Sequence, residues 1–311
     1  MTRALLISNP AAGRTDARAL QAVGRTLRGG GWSVEVRTTA GPADAGRFAR
    51  DARTEGVDVL VCYGGDGTAM QIAAGLAGSG IPVGLVPGGT GNLLAGNLRI
   101  PRDPAAAARV ILKGHALPID LGAVERPDGT HYFAVCGGTG FDARLMAETD
   151  AAAKRRWKMA AYVVRGLASL PRVTSVLHRV TVDGQSVERP AAMVLVANCG
   201  ELIPPFLRLR HDIAPFDGWL DVVTLRAEGT LQSLGAFWEL VRGPANGTGR
   251  GRLWFARGHD IRVEVLDAPP RPVQLDGEVF GDTPFRARLV PGALTVIVDR
   301  AAVPGGAPRR V

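Results

Sequence analysis

The segment Val57-Asp58-Val59-Leu60-Val61-Cys62-Tyr63-Gly64-Gly65-Asp66-Gly67-Thr68 sets the architecture of this chain. Val57 to Tyr63 is an apolar run of strand length, and such a run reads as a strand buried on both faces. Helical spacing follows from Ala69 to Ala77. A glycine loop between a buried strand and a helix suits phosphate binding. Glycine permits φ > 0 and leaves no side chain in the way, so backbone N–H groups can approach an anion. The helix N-terminus adds positive potential. Asp66 is out of place for bare phosphate, and makes sense if it orients Mg²⁺, water or an attacking hydroxyl. The competing reading is an ordinary strand-to-helix turn.

The flanking segments repeat the pattern. Ala4 to Ser8 is a short strand ended by the loop Asn9-Pro10-Ala11-Ala12-Gly13. Ala17, Leu20, Val23 and Leu27 recur at helical spacing, and Gly29, Gly30 and Gly31 end that helix. Val34 to Thr38 alternates as a strand, and Pro42 to Glu55 reads as a helix closed by Gly56. On the other side, Val83 to Val86 is a strand leading into Pro87-Gly88-Gly89-Thr90-Gly91-Asn92, a second glycine loop before a helical run. Asp103-Pro104 gives an N-cap with proline at the first helical position, opening a helix to Lys113. Alternating strands and helices imply a mostly parallel sheet covered on both faces, with the three loops along one rim.

After about Pro118 the texture becomes β-rich. Ile119 to Val124, Tyr132 to Cys136, Val173 to Val182, Met193 to Asn198, Leu220 to Leu225, Ile261 to Leu266, Arg286 to Val290 and Leu294 to Val298 read as strands. Asp128-Gly129, Asp183-Gly184 and Asp217-Gly218 mark turns between them. This is the pattern of an antiparallel sandwich, with one helical interruption at about residues 151–170. Within it, Asp276-Gly277-Glu278 places two carboxylates close together. A carboxylate in reach of an alcohol can take its proton during phosphoryl transfer; on spacing alone, a β-turn with solvated acids explains the triplet as well.

Composition narrows the function classes. The 311 residues are 46% hydrophobic, enough for two cores. The net charge of +8 favours acidic partners such as phosphate ligands or anionic membrane. Basic residues are dispersed and aromatics few, which disfavours nucleic acid. Cys62, Cys136 and Cys199 each sit in an apolar run, as buried thiols in a reducing compartment do. The five histidines have no metal-ligand spacing, so zinc is not expected. No run approaches the roughly 20 apolar residues of a membrane span. The expectation is a cytoplasmic protein that meets the inner membrane surface peripherally. Lys154-Arg155-Arg156-Trp157-Lys158 is the candidate contact with anionic lipid, with the apolar residues from Leu202 to Leu209 as part of the same surface; a solvated helix face is the alternative for the cluster.

Taken together and in order, these elements resemble the diacylglycerol kinase and sphingosine kinase family. Asn9 to Gly13 is similar to its NP-x-x-G loop, Gly64 to Thr68 to its GGDGT signature and Gly89 to Asn92 to its GTxN segment. Asp217-Gly218-Trp219-Leu220-Asp221 resembles its DGxLD segment, and Asp276 to Glu278 its late DGE. The resemblance implies an α/β nucleotide-binding domain of the NAD kinase and phosphofructokinase type, at residues 1–118 with a segment at about 291–303 returning to it. It implies a β-sandwich lipid-substrate domain at 119–290; residues 304–311 are expected to form a flexible tail.

The activity implied is ATP-dependent phosphorylation of a lipid alcohol. By matching positions, ATP would contact Asn9, Pro10, Ala11, Ala12, Gly13, Thr39, the run Gly64, Gly65, Asp66, Gly67, Thr68, Ala69, Met70 and Gln71, and Gly89, Thr90 and Asn92. Glu278 would be the general base, with Asp66 and Asp276 as further catalytic acids. Asp217 with the carbonyls of Ala214 and Trp219 would hold a structural Mg²⁺. One departure is that Asn92 precedes Leu93 where many bacterial members carry an acid, as in the sphingosine kinase branch. An NAD kinase-like enzyme and a non-catalytic lipid- or nucleotide-binding regulator are the alternatives, and a homodimer is compatible with the sequence.

Overall fold

In the computed structural model the described residues are 1–140, 173–203, 207–210, 212–242 and 251–301. The basic cluster at 154–158, the helical interruption at 151–170 and the tail at 304–311 lie outside them. The chain divides into two compact units. Met1–Leu121 and the segment from Pro291 form unit 1, and Gly122–Val290 forms unit 2.

Unit 1 begins with β1 (Arg3–Ser8), α1 (Ala17–Gly29), β2 (Ser33–Thr38), α2 (Asp44–Ala52), β3 (Val59–Gly64), α3 (Asp66–Leu76) and β4 (Val83–Pro87). It continues with α4 (Leu93–Asn97), α5 (Pro104–Lys113) and the first half of β5 (His115–Arg126). Unit 2 contains β6 (Gly129–Phe133), β7 (Cys136–Gly140), β8 (Val176–Val182), β9 (Gln185–Ala191), β10 (Met193–Ala197), β11 (Glu201–Ile203), β12 (Leu207–Arg208) and β13 (Leu220–Leu225). After α6 (Gly229–Arg242) come β14 (Leu253–Gly258), β15 (Asp260–Val265), β16 (Pro272–Leu275), β17 (Glu278–Asp282) and β18 (Phe285–Val298), whose last residues return to unit 1.

The sheet of unit 1 runs β2-β1-β3-β4-β18. Neighbours from β2 to β4 pair in parallel, with Ser8 opposite Tyr63 and Gly64 opposite Pro87, so the loops after β1, β3 and β4 leave from one edge. Right-handed crossovers place α1 on one face and α2 and α3 on the other. α5 joins α1: a Cβ on Gly30 would meet Leu112 at 2.5 Å, and one on Gly84 of β4 would meet Ile111 at 2.6 Å. α2 and α3 cross so closely that a Cβ on Gly75 would lie 2.7 Å from that of Ala49. The strand order reverses between β1 and β3, and at such a switch point the loops diverge and leave a crevice for a ligand.

Unit 2 is a sandwich of antiparallel sheets. One runs β14-β13-β10-β7-β16-β17; the other includes β18-β15-β8-β9, and β5 pairs with β6. Val180, Val196, Val222, Val263, Val273 and Phe285 are among the buried side chains that fill the core between them. The hairpin turns are the aspartate–glycine pairs. Asp183 and Gly184 both have φ > 0 (47° and 83°), as a two-residue primed turn requires. Asp276 and Gly277 repeat it, at 46° and 89°.

The structure corrects several expected bounds. α3 begins at Asp66 rather than Ala69, so the glycine motif forms the first turn of the helix. Tyr132 to Cys136 is split between β6 and β7. The two expected strands near the C-terminus are one, β18. Pro291-Gly292 does not break it, because Gly292 takes φ 57° and its amide donates to Asp120 Oδ1 at 2.8 Å. Leu209 is buried, so it does not belong to an exposed apolar surface. Helix α6 and strands β9, β11, β12, β14, β16 and β17 have no counterpart among the expected elements.

Candidate active site

The three loops of unit 1 interlock. Asn9 begins the first: its amide donates to Tyr63 O at 3.0 Å, and its side-chain Nδ2 donates to Thr68 Oγ1 at 2.8 Å. Its Oδ1 accepts the Ala11 amide at 3.0 Å, an Asx turn that curls Pro10 to Gly13 over the strand end. The Thr15 hydroxyl closes the curl on the carbonyls of Asn9 and Ala12. Arg14 N donates to Gly88 O at 2.8 Å and Gly88 N to Gly64 O at 2.7 Å, which ties the loop after β4 to both others.

The glycines serve close approach rather than unusual backbone angles. Gly64, Gly65, Gly88, Gly89 and Gly91 all keep φ out of the left-handed region. A Cβ on Gly89 would lie 2.6 Å from Gly65 Cα, and one on Gly91 would lie 2.7 Å from Asp66 Oδ2. The left-handed residue is Asn92, with φ 52°. Its amide group clamps Gly89 from both sides, with Oδ1 accepting from Gly89 N and Nδ2 donating to Gly89 O, each at 2.8 Å. The amides of Gly13, Thr90 and Gly91 take part in none of the bonds that lock these loops. A small pocket opens between Gly65, Asp66, Ala69, Pro87 and Asn92.

Asp66 has a different environment from the one its chemistry suggested. Its Oδ2 accepts the Asn92 amide at 2.7 Å and its Oδ1 the Leu93 amide at 2.5 Å. The acid of one loop therefore captures the N-terminus of the helix that follows the other. Burial pushes its pKa up, opposed by the backbone amides around it. Cys62 lies beneath, and burial pushes its thiol up to about 12, with the Asp66 charge adding to the effect. All three cysteines are free and buried.

The other assigned nucleotide contacts divide between the rim and the interior. Thr39 continues from β2 and its amide donates to Ser8 O at 2.9 Å. Met70 and Gln71 lie on the second turn of α3. Gln71 packs against α2, with its Cβ 3.7 Å from where a Cβ on Gly46 would stand. Two side chains that the sequence did not flag support the first loop. Thr15 is described above, and the buried Tyr63 accepts from Asp16 N and donates to Arg14 O through its hydroxyl. A tyrosine at the end of an apolar strand carries no motif signal.

In unit 2, Asp276 and Glu278 are near in sequence but differ in environment. The Asp276 carboxylate accepts three backbone amides, those of Ala134, Val135 and Cys136, at 2.7–2.9 Å. It fastens the β16–β17 turn to the connection between β6 and β7. Gln274, buried beside it, accepts the Gly277 amide at 2.7 Å. Glu278 opens β17, exposed, and no hydrogen bond or ion pair engages its carboxylate among the described residues.

Asp217 forms a turn of its own. Its Oδ2 accepts from Ala214 N at 3.2 Å and its Oδ1 from Trp219 N at 3.0 Å, while its amide donates to Ala214 O. Burial raises its pKa to about 6, against the pull of the Arg257 guanidinium 3.6 Å away. Arg257 also holds Asp221 at 2.9 Å and lies 3.7 Å from Asp212. Arg210 pairs with Asp212 through two guanidinium nitrogens, at 2.8 and 2.9 Å, so two guanidiniums face the three acids. Among the described residues no group of three or more His, Cys, Asp or Glu side chains is placed to hold a metal. A cation at Asp217 would therefore take its remaining ligands from the Ala214 and Trp219 carbonyls and from water.

Residues 3–124 match the model of the diacylglycerol kinase catalytic domain, and residues 136–298 that of the YegS C-terminal NAD kinase beta sandwich-like domain. A protein of Xanthomonas campestris pv. campestris named "Probable lipid kinase YegS-like" is 35% identical, over 93% of this chain and 94% of that protein. One of the same name from Stenotrophomonas maltophilia is 32% identical over 98% and 96%. A longer Synechocystis protein is 25% identical over 78% of this chain, which spans 55% of its length. Among solved structures, a candidate diacylglycerol kinase from Bacillus anthracis str. Sterne superposes with a TM-score of 0.80 at 25% identity, covering 97% of this chain and 98% of its own.

Proposed function

The chain belongs to the YegS-like lipid kinases of the diacylglycerol kinase family, and we propose that within it this protein transfers the γ-phosphoryl group of ATP to the hydroxyl of a diacylglycerol-like or sphingosine-like alcohol. The observation that carries this reading is the interlock of three loops at the switch point of a parallel sheet, fastened by Asp66 to the amides of Asn92 and Leu93. A rim so fixed holds its remaining amides, at Gly13, Thr90 and Gly91, in place before a phosphate chain arrives, which is where positioning and electrostatics do their catalytic work. Mg²⁺ bound with ATP would neutralise the phosphate charge that the amides of Gly13, Thr90 and Gly91 face.

Glu278 takes the proton of the acceptor hydroxyl. Of the three acids assigned to catalysis, Asp66 and Asp276 accept two and three backbone amides, and Glu278 alone presents an unengaged carboxylate. Asp276 and Gln274 act as positioning residues that hold the turn from which Glu278 projects. The test is transfer from labelled ATP to a panel of diacylglycerol, sphingosine, monoacylglycerol, phosphatidylglycerol, polyprenol and NAD, with Glu278→Gln beside the native protein. Loss of a general base costs about 10²–10⁴-fold in turnover, and the KM for ATP should stay within twofold. Label on NAD alone would overturn the lipid reading. Turnover by Glu278→Gln within a few-fold of native would remove Glu278 from the role of base.

A further inference from the structure

Helix α6 is fastened to unit 2 along one side. Ala236 is buried with Val173, Ala192 and Ala227. The Gly229 amide donates to Val173 O at 2.9 Å, and the Ser233 hydroxyl caps Gly229 O at 2.7 Å. Glu239 accepts from Arg252 Nη1 at 2.7 Å. The other side is apolar and open. Leu231 is 85% exposed, Leu234 38% and Trp238 56%. Their spacing of i, i+3, i+7 puts them on one stripe two turns long. Among the described residues the other exposed large apolar side chains, such as Val36 and Leu266, do not share an element in this way.

We propose that this stripe docks on an anionic phospholipid bilayer, with Leu231, Leu234 and Trp238 entering the boundary between headgroups and acyl chains. Three observations select that occupant. The stripe carries no charge, and the one acid of the helix, Glu239, is held by Arg252. The Arg252 guanidinium lies against the helix beside the stripe, 2.9 Å from where a Cβ on Gly235 would stand, and Arg242 and Arg250 follow in sequence with no acid between positions 240 and 252. An apolar stripe ending in Trp, in a segment that from 240 to 252 adds three arginines and no acid, matches the interfacial pattern, with the ring at headgroup depth. The patch is also small for a protein partner, since a stable interface buries about 800 Å² per side. The identity of the substrate rests on the lipid-kinase reading above. A lipid alcohol resides in a bilayer, and no described helix is long and apolar enough to cross one.

The experiment uses the full chain with vesicles of phosphatidylglycerol and phosphatidylcholine in equal parts, and vesicles of phosphatidylcholine alone. Sedimentation should show binding to the mixed vesicles that weakens at high salt, and Trp fluorescence should shift to the blue. Trp238→Phe should lose most of that shift while still binding. Removing one inserted large apolar side chain lowers partitioning by roughly tenfold, so Leu231→Glu with Trp238→Glu should bind on the order of 100-fold more weakly. Both residues are exposed, so the melting midpoint should not move. The double variant should lose activity on long-chain lipid in vesicles and keep it on a water-soluble short-chain alcohol. Native-like vesicle binding by the double variant overturns the proposal. So does a native dimer that the double variant splits, found together with no vesicle binding. If vesicle binding depends on the stripe but no lipid alcohol accepts phosphate, the docking surface stands and the kinase reading falls.

Discussion

Gly89→Ala tests whether the contact between the two glycine loops sets the geometry of the nucleotide rim. The new Cβ would stand 2.6 Å from Gly65 Cα and 3.0 Å from Asn92 Oδ1. Gly65 Cα is backbone and cannot rotate away, so the loops must part by about 0.8 Å to reach the 3.4 Å of ordinary contact. The bonds that hold them are Gly88 N to Gly64 O at 2.7 Å and the Asp66 carboxylate to the amides of Asn92 and Leu93 at 2.7 and 2.5 Å. Opening by that amount carries each past the roughly 3.2 Å at which such bonds are well formed. Overpacking of this kind costs about 1–3 kcal/mol, and a misplacement near 1 Å in a phosphate site costs about 10²-fold in rate. The assays are thermal melting and steady-state transfer at varied ATP. The expected result is a lower melting midpoint and a kcat/KM for ATP down by about 10²-fold, with little change in KM for the acceptor. Gly29→Ala is the control: it closes α1 and its Cβ meets nothing within 4 Å, so stability and kinetics should stay native. A Gly89→Ala protein with native kinetics would refute the claim that the loops are held at contact distance for function.

Two further outcomes follow from the acids. Asp66→Asn turns an N–H group toward the amide of Asn92 or Leu93 where an oxygen now accepts, so it should lower both stability, by about 1–3 kcal/mol, and ATP affinity; a protein of native stability whose only defect is turnover would instead make Asp66 a catalytic acid. Asp217 has a folded-state pKa raised to about 6 from 3.8, so its ionisation opposes folding: native stability should fall as pH rises from about 4 to 6 and stay lower above it. The difference is at most about 3 kcal/mol at 1.36 kcal/mol per unit. Asp217→Asn should flatten that part of the curve, and Mg²⁺ should raise the melting midpoint of the native protein at pH 7 but not of the variant; an identical pH profile or an identical Mg²⁺ response in the variant would contradict this.

The parts of the fold legible in the sequence are those fixed by local chemistry. Asp103-Pro104 gave the start of α5, where Asp103 accepts from Ala106 N at 2.7 Å with proline in the first turn. Asp183-Gly184 gave its hairpin because only a few residue types accept φ > 0. The strands buried on both faces, β1, β3 and β4, are continuous apolar runs and fall within two residues of their expected bounds. What was not legible depends on partners distant in sequence. β16 and β17 are short and carry no clear alternation, and they exist as strands because β16 pairs with β7 about 135 positions earlier. β18 runs through Pro291-Gly292 because Asp120 holds the Gly292 amide. α6 is hard to read because Ser233 and Ala236 are buried while Leu231, Leu234 and Trp238 are exposed, the reverse of the usual signal.

The motif acids illustrate the same limit at the site. The family resemblance implies catalytic roles for Asp66 and Asp276, and for Asp66 its place in a phosphate-binding loop points the same way. Each also accepts backbone amides: Asp66 those of Asn92 and Leu93, Asp276 those of Ala134, Val135 and Cys136. These bonds give the lone acid in the glycine loop a structural role alongside any chemical one. A buried carboxylate with several amide donors is stabilised where it is, and in Asp66 it replaces the side chains that would otherwise hold two loops at contact distance. The glycines and the acid then form one device: the glycines let the loops touch, and Asp66 keeps them touching. Leu93, where many relatives by resemblance carry an acid, fits the same device, because it is its amide and not its side chain that Asp66 uses. Substitutions at position 93 that keep an ordinary helical residue should therefore leave the interlock intact, whereas proline there, which has no N–H, should release it.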